Sequence, residues 1–265
     1  MNQNGILEVG VYGIGAIGPG FSSWPDLKDR LTANSLDLRD KTQLPNLDIL
    51  PPAERRRASP IIKAGICAGL EACLDAGMSP TDLQTIFTSS GGDGANCIAI
   101  CEQLATDDPL ISPTRFHNSV HNTVAGYWGI ATGCMKPSQA ISAEDGSFAA
   151  GLLEAATQTV ASGMPTLLVS YDMSYPEPLN TFRNISGTAA IALVIGLNKR
   201  TESRYPSLMM PFEGRSLGRQ PSYTRVDNPT LQALNLLTMI PQQSSGMTTF
   251  PLQIDSHLTV KVDFS

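Results

Sequence analysis

Apolar positions along this chain follow two periods in turn, and their alternation predicts the architecture. Residues 6–14 (ILEVGVYGI) alternate loosely and favour β-branched types, which predicts a strand, followed by a glycine-rich turn over residues 15–20. Residues 23–31 read as a short helix, with Ser22 or Ser23 as N-cap and Pro25 in its first turn. Residues 32–52 hold no sustained period and predict a surface loop. The segment SPIIKAGICAGLEACLDAG (59–77) predicts a clear helix, with Pro60 at its first position and Gly77 just past its end. Its Ile62, Ile66, Leu70 and Cys73 fall on one face, the pattern of a helix packed on a sheet. Residues 83–89 predict a second strand. It ends in Ser-Ser-Gly-Gly-Asp-Gly, a turn tight enough to start the apolar helix 96–104, which Asp107-Asp108-Pro109 stops.

The chain is organised around residues 111–163, where a loop with two histidines leads through a Gly-rich segment to a short strand and a helix. At its centre, Ala143-Glu144-Asp145-Gly146-Ser147 sits where that strand ends and the helix begins. Amides at a helix N-terminus stabilise negative charge, which makes such a turn a common seat for a nucleophile. Here it carries two carboxylates, which at a helix start are also expected to cap it. Beyond it, PTLLVSY (165–171) and GTAAIALVIGL (187–197) are continuous apolar runs of the kind buried on both faces of a sheet. Strands alternating with helices predict an α/β layered fold. After residue 198 prolines punctuate short segments, 231–240 reads as a helix, and LTVKVDF (258–264) alternates as a terminal strand. The expected organisation is a domain over 1–198 with a Pro-rich tail, 199–265, packed on it.

Composition narrows the function. The chain has 265 residues, 42% hydrophobic and 16% charged, with a net charge of −6, so it offers no basic footprint for nucleic acid or an anionic membrane. So few charges fit a chain that hides surface in a partner. No apolar run approaches the ~20 residues of a membrane span, and the N-terminus lacks the basic start and apolar core of a signal peptide. Five cysteines (Cys67, Cys73, Cys97, Cys101 and Cys134) read as reduced thiols of a cytoplasmic protein. Cys97 and Cys101 have helical spacing but no histidine near them in sequence, so no metal site is expected. GIGAIGPG departs from a dinucleotide fingerprint because Pro19 interrupts the helix entry, and no cofactor is expected. Glu54-Arg55-Arg56-Arg57 is a solvated helix edge or a docking site for an acidic carrier protein.

Within 111–163 the residues Ser112-Pro113, Asn122-Thr123-Val124-Ala125-Gly126, Gly133 and Pro137 match, in order and spacing, a pattern of the β-ketoacyl synthase family. The opening VGVYGIGAIGPGFSSWPDLKDRL, the helix SPIIKAGICAGLEACLDAG, IFTSSGGDG and ASGMPTLLVSYDM likewise resemble that family's successive elements over residues 6–197. The resemblance implies the N-terminal half of a thiolase fold. It also implies a nucleophilic cysteine, but counting from Asn122 puts that position at Asp145, and counting from Gly163 puts it at Gly146. Neither is a cysteine, and thioester exchange needs a thiolate. Cys134 stands eleven residues before Asp145, where the family has an ordinary apolar residue. Ketosynthases also carry two catalytic histidines in a C-terminal half; the tail here holds one histidine, His257, without their sequence context.

Together these departures resemble a chain-length factor, such as those of aryl polyene biosynthesis, with no catalysis of its own. The implied partners are a full-length ketosynthase, paired as a heterodimer, and, through it, an acyl carrier protein. Ser138, Ala140 and Ser142 would lie on the strand that adds to the partner. Phe116, His117 and His121 would lie on the loop approaching the partner's pocket, and Asn96, Ile100 and Leu104 on the helix lining an acyl tunnel. Equally open from the residues alone, Phe116 is core and both histidines satisfy backbone carbonyls. Two further readings remain: a stand-alone hydrolase or decarboxylase using Asp145 or Glu144 with His117 or His121, and a homodimeric acyl-binding module.

Overall fold

Uncharged β-branched runs are satisfied only inside a sheet covered on both sides, and there they lie. A computed structural model describes residues 5–198, 203–210, 227–253 and 256–264. In chain order the elements are β1 (Leu7–Ile17), α1 (Trp24–Thr32), α2 (Pro52–Arg57), α3 (Pro60–Ala76), β2 (Gln84–Thr88), α4 (Gly94–Leu104) and α5 (Pro113–Asn118). There follow α6 (Thr123–Thr132), β3 (Ser138–Ile141), α7 (Ser147–Ser162), β4 (Thr166–Asp172), α8 (Leu179–Phe182) and β5 (Ala189–Leu197). Last come β6 (Ser207–Met210), α9 (Leu234–Leu237), β7 (Gly246–Gln253) and β8 (Ser256–Asp263).

The strands form one eight-stranded sheet in the order β3-β2-β4-β5-β1-β6-β8-β7. Pairing is parallel among β3, β2 and β4 and antiparallel elsewhere. Successive side chains of β4 and β5 go to opposite cores. Leu167, Val169, Tyr171, Ala190, Ala192 and Val194 join α3 and α6, whereas Leu168, Ile191, Leu193 and Ile195 join α1, α7 and α9. The result is the layered α/β arrangement expected from the alternating pattern, and residues after 198 add three strands to the same sheet.

The glycine-rich turn expected at 15–20 is displaced, because β1 runs on through Ile17. Its glycines serve packing. A Cβ at Gly15 would lie 1.9 Å from the Ala68 carbonyl oxygen and one at Gly13 2.3 Å from that of Ala72, so α3 rests directly on the β1 backbone. Strand β6 covers β1 only over Leu7–Gly10. Further along, the amides of Ile14 and Ala16 donate instead to Asp75 (3.0 Å) and Glu71 (2.8 Å) of α3. Glu71 also accepts from the Trp24 amide at 2.8 Å. Its burial pushes the carboxyl pKa up against those two hydrogen bonds.

Three other expectations change. The two-histidine loop and Gly-rich segment are largely helical: Phe116 and His117 belong to α5, and Gly126 lies within α6, which ends at Gly133 in the left-handed conformation (φ 70°). Helix α3 is buried by α6 as well as by the sheet, since Val124 packs on Gly65 and Trp128 on Gly69, and Trp128 also meets Phe87 of β2. Residues 231–240 hold a 3₁₀ turn (Pro229–Ala233) and the single helical turn α9 rather than one helix.

Candidate functional site

The carboxyl ends of the parallel strands β2, β3 and β4 meet at one side of the molecule, the usual place for a site in an open α/β sheet. Beyond β3 the chain turns sharply. Ala143 ends the extended segment, Glu144–Gly146 make a 3₁₀ turn and α7 begins at Ser147. Glu144 stands at the tip with φ 48°, a left-handed conformation that costs a non-glycine residue about 1–3 kcal/mol. The strained residue of the turn is thus Glu144, next to Asp145 and Gly146. Neither carboxylate caps α7, contrary to expectation, for no side chain donates or accepts at its N-cap. The buried Ser147 does the local work: its Oγ accepts from the Ala143 amide (3.0 Å) and donates to the Glu144 carbonyl (2.7 Å). Asp145 instead pairs with Arg183, which donates to it at 2.7 Å. Partial burial opposes charge on that guanidinium, but Asp145 holds its pKa above the usual value.

The turn is held from behind by the C-terminal hairpin. A Cβ on Gly146 would lie 2.3 Å from the Leu252 carbonyl oxygen in β7, and Phe148 meets Phe250 edge-on with ring centroids 5.2 Å apart. Gly146 is where the hairpin's backbone closes on the elbow.

Next to the turn, the Ser89-Ser90 pair after β2 has every backbone polar group engaged. The Ser89 amide donates to Ile141 O at the end of β3 (3.3 Å), and Ser89 O accepts from His121 Nε2 (3.0 Å). Ser90 O accepts from Ser142 Oγ (3.2 Å), and the Ser90 amide donates to Asp172 Oδ1 (2.8 Å). The hydroxyls of Ser89 and Ser90 donate to the same oxygen, at 3.0 and 2.7 Å, while Asp172 Oδ2 accepts from Thr230 Oγ1 at 3.0 Å. Asp172 is 2% exposed, and burial pushes its pKa up despite these donors. Tyr175 closes the loop above, since a Cβ at Gly91 would sit 1.7 Å from its hydroxyl.

The remaining expected site residues lie around this cluster. Helix α4 is attached mainly to α5, through Asn96 Nδ2 donating to Arg115 O at 2.7 Å; Ile100 is half-buried and Leu104 exposed. Phe116 is 64% exposed, so it is not core. His117 contacts Asn118 Oδ1 (3.1 Å) and stacks edge-on against Tyr127, while His121 satisfies the Ser89 carbonyl. Among the described residues neither histidine hydrogen-bonds to Glu144 or Asp145, so the acid–imidazole pair of the enzyme reading is not assembled. Strand β3 is an open edge, with Ser138, Gln139 and Ala140 exposed and Ser142 exposed just after it. Leu104, Leu110, Phe116, Val120, Met135 and Phe182 are also exposed, all from segments that border α4, α5, β3 and α8. No group of His, Cys, Asp and Glu able to hold a metal occurs among the described residues, and none of their helices is long and apolar enough to cross a membrane. A cavity of about 650 Å³ lined by residues such as Arg39, Lys41 and Asp227 shares no residue with the elbow.

Sequence reasoning missed Asp172 and Thr230, and it placed Ser147 in the turn without giving it a role. Asp172 ends an otherwise uncharged buried strand, and that isolated charge was the available signal.

An elbow between a parallel strand and a buried helix, on a sheet of this order, is the arrangement of the thiolase-like ketosynthase half. The family model of the beta-ketoacyl synthase N-terminal domain matches residues 29–249, and the chain belongs to this family. No curated protein matches it in sequence. Among solved structures it is similar to a chain of the ketosynthase (ApeO) in complex with its chain length factor (ApeC) from Xenorhabdus doucetiae, at 22% identity and a TM-score of 0.73. That match covers 97% of this chain and 99% of the other. The ishigamide ketosynthase/chain length factor matches at 11% identity and TM-score 0.69, over 96% and 98%. A type II polyketide acyl-carrier protein in complex with its ketosynthase, AntDE:AntF, matches at 15% and 0.59, over 73% and 64%. At these identities the shared property is the fold.

Proposed function

We propose that this chain is the non-catalytic, ketosynthase-like partner of an active β-ketoacyl-acyl-carrier-protein synthase. It would act as a chain-length factor that forms a heterodimer and helps shape the acyl tunnel. The observation that carries this reading is the elbow. It has a strained tip, a supporting Ser147 and a close-packed glycine, yet it presents Glu144-Asp145-Gly146 where decarboxylative condensation needs a thiolate. A carboxylate at that tip accepts no acyl group from a thioester in a way that elongation can use.

Pairing is the second part of the reading. An edge strand with exposed, small side chains, bordered by Phe116, Leu104 and Phe182, supports strand addition by another subunit. Near-complete mutual coverage with chains of two ketosynthase/chain length factor complexes supports the same assembly. In this reading Asn96, Ile100 and Leu104 line the tunnel, residues 199–265 complete the single domain, and the complex works in the cytoplasm on a carrier-bound polyene or fatty-acid-like chain.

The test is co-expression with a full-length ketosynthase. A stable one-to-one complex is expected, lost in Phe116→Asp and in Ala140→Lys with each variant's own unfolding free energy within about 0.5 kcal/mol of the parent. Thioester turnover by the isolated chain, abolished by Asp145→Asn, would overturn the proposal.

A further inference from the structure

We infer that Asp172 is the positioning residue of the partner-facing rim, fixing the Ser89-Ser90 pair on which the end of β3, His121 and Ser142 all depend. The word partner rests on the function proposed above; the positioning itself rests on geometry alone. Four donors converge on this one buried carboxylate: the Ser90 amide and the Ser89 and Ser90 hydroxyls on Oδ1, and Thr230 Oγ1 on Oδ2. Among the described residues no cation neutralises it, and these hydrogen bonds are what they supply to hold it. In return it immobilises a dipeptide whose outward-facing groups go to two other segments: the end of the edge strand, through the Ile141 carbonyl and the Ser142 hydroxyl, and the His121 ring. Because Ser89 O can only accept, His121 must carry a hydrogen on Nε2 to make this bond. Thr230 brings in the C-terminal segment, and its hydroxyl is shared with Ser170 at 2.9 Å. Four stretches distant in sequence, at 89–90, 121, 141–142 and 230, therefore depend on one side chain.

The variants separate position from mere stability. Asp172→Asn keeps the oxygen that accepts three bonds and turns an NH₂ toward Thr230, whose hydroxyl can rotate to accept it and donate to Ser170. Asp172→Ala leaves the Ser89 and Ser90 donors without an acceptor in a closed space. Amide exchange and imidazole nitrogen shifts on the purified chain read the result. In Asp172→Ala, exchange at Ser89, Ser90 and Gly92, whose amides donate to Ile141 O, Asp172 Oδ1 and Ser89 Oγ, is expected to rise at least about tenfold, the size set by losing one hydrogen bond to a charged group. Amides of β8 should stay within about twofold, and the His121 tautomer should become mixed. Asp172→Asn should match the parent in all three readouts. Should Asp172→Ala fail to fold, Thr230→Val carries the test: faster exchange at Ser90, with β8 unchanged. An equal rise everywhere, an unchanged His121 tautomer in Asp172→Ala, or Asp172→Asn as damaging as Asp172→Ala overturns the inference. Binding to the ketosynthase should weaken at least about tenfold in Asp172→Ala and hold in Asp172→Asn. Absence of any complex with the parent chain would sink the proposed function and leave the exchange result to decide the role of Asp172.

Discussion

Gly146→Ala tests how the C-terminal hairpin holds the elbow. The added Cβ would lie 2.3 Å from Leu252 O, 2.7 Å from its carbonyl carbon and 2.9 Å from its Cα, where real Cβ atoms essentially never come within 3.0 Å. All three atoms are backbone, so no rotamer change relieves the contact, and either β7 or the turn must retreat. Gly146 itself has φ −84°, so backbone strain adds nothing to the cost. Overpacking of this kind costs about 1–3 kcal/mol, or a fall in Tm of roughly 3–10 °C for a chain of this size. Urea unfolding followed by tryptophan fluorescence measures it. The double variant Gly146→Ala/Leu252→Ala sharpens the test. The clash is with the Leu252 backbone, so removing its side chain should not rescue, and the two costs should add within about 0.5 kcal/mol. Rescue by Leu252→Ala, or a cost for Gly146→Ala below about 0.5 kcal/mol, would refute the view that the hairpin backbone is seated on this glycine. The contrast is Gly69→Ala, whose Cβ meets the Trp128 side chain at 2.7 Å and can be accommodated by ring movement.

Burial raises the carboxyls of Glu71 and Asp172 above their ordinary values of 4.5 and 3.8. A folded-state pKa above the unfolded one means that each contribution is fully present below the unfolded value and is lost as pH rises through the folded one. Glu71→Gln and Asp172→Asn should each flatten the decline of unfolding free energy just above roughly pH 4, measured by urea titration across that range. Glu71→Gln should also cost about 1–3 kcal/mol near neutrality, because its NH₂ faces the Ala16 or Trp24 amide; equal stability in Gln and Glu forms would exclude that account. Cysteine reactivity should divide by burial. Cys73 and Cys67, pushed up to about 12 and about 11, should resist a thiol reagent at pH 8 until the chain unfolds, whereas the exposed Cys101 reacts in the native state, as peptide mass mapping can check. Arg183→Ala should cost at most about 1 kcal/mol, since the Asp145 pair is half-exposed.

Elements whose signal is local were legible in the sequence. Helix α3 announces itself by Pro60, Gly77 and its apolar face, and β4 and β5 by runs with no charge. The elbow followed from a strand period giving way to a helix period at Ala143. What stayed hidden depends on distant partners. Gly15 looks like the start of a turn until α3, more than fifty residues on, is seen to rest on it. Strand β6 has only four residues and β7 carries Pro251 within it, and both are recognisable only from their pairing. Asp172 and Thr230 are separated by 58 positions, and nothing in either neighbourhood foretells their bond. The Gly-rich segment at 123–132 forms a helix because tertiary packing of Val124 and Trp128 against α3 outweighs the low helix propensity of glycine.

The open edge at β3 bears on how the two subunits would have to be made. Long apolar edges recruit any extended chain and so aggregate, and natural sheets guard against this by keeping edges short and polar. This edge is four residues long and shows serine, glutamine and alanine to solvent. A stray strand gains little there; only a surface that also covers Phe116 and Phe182 gains enough to stay. In the proposed heterodimer, then, the β3 edge of a surplus chain would offer little to a stray strand, and production of the two subunits would not need to be matched on its account.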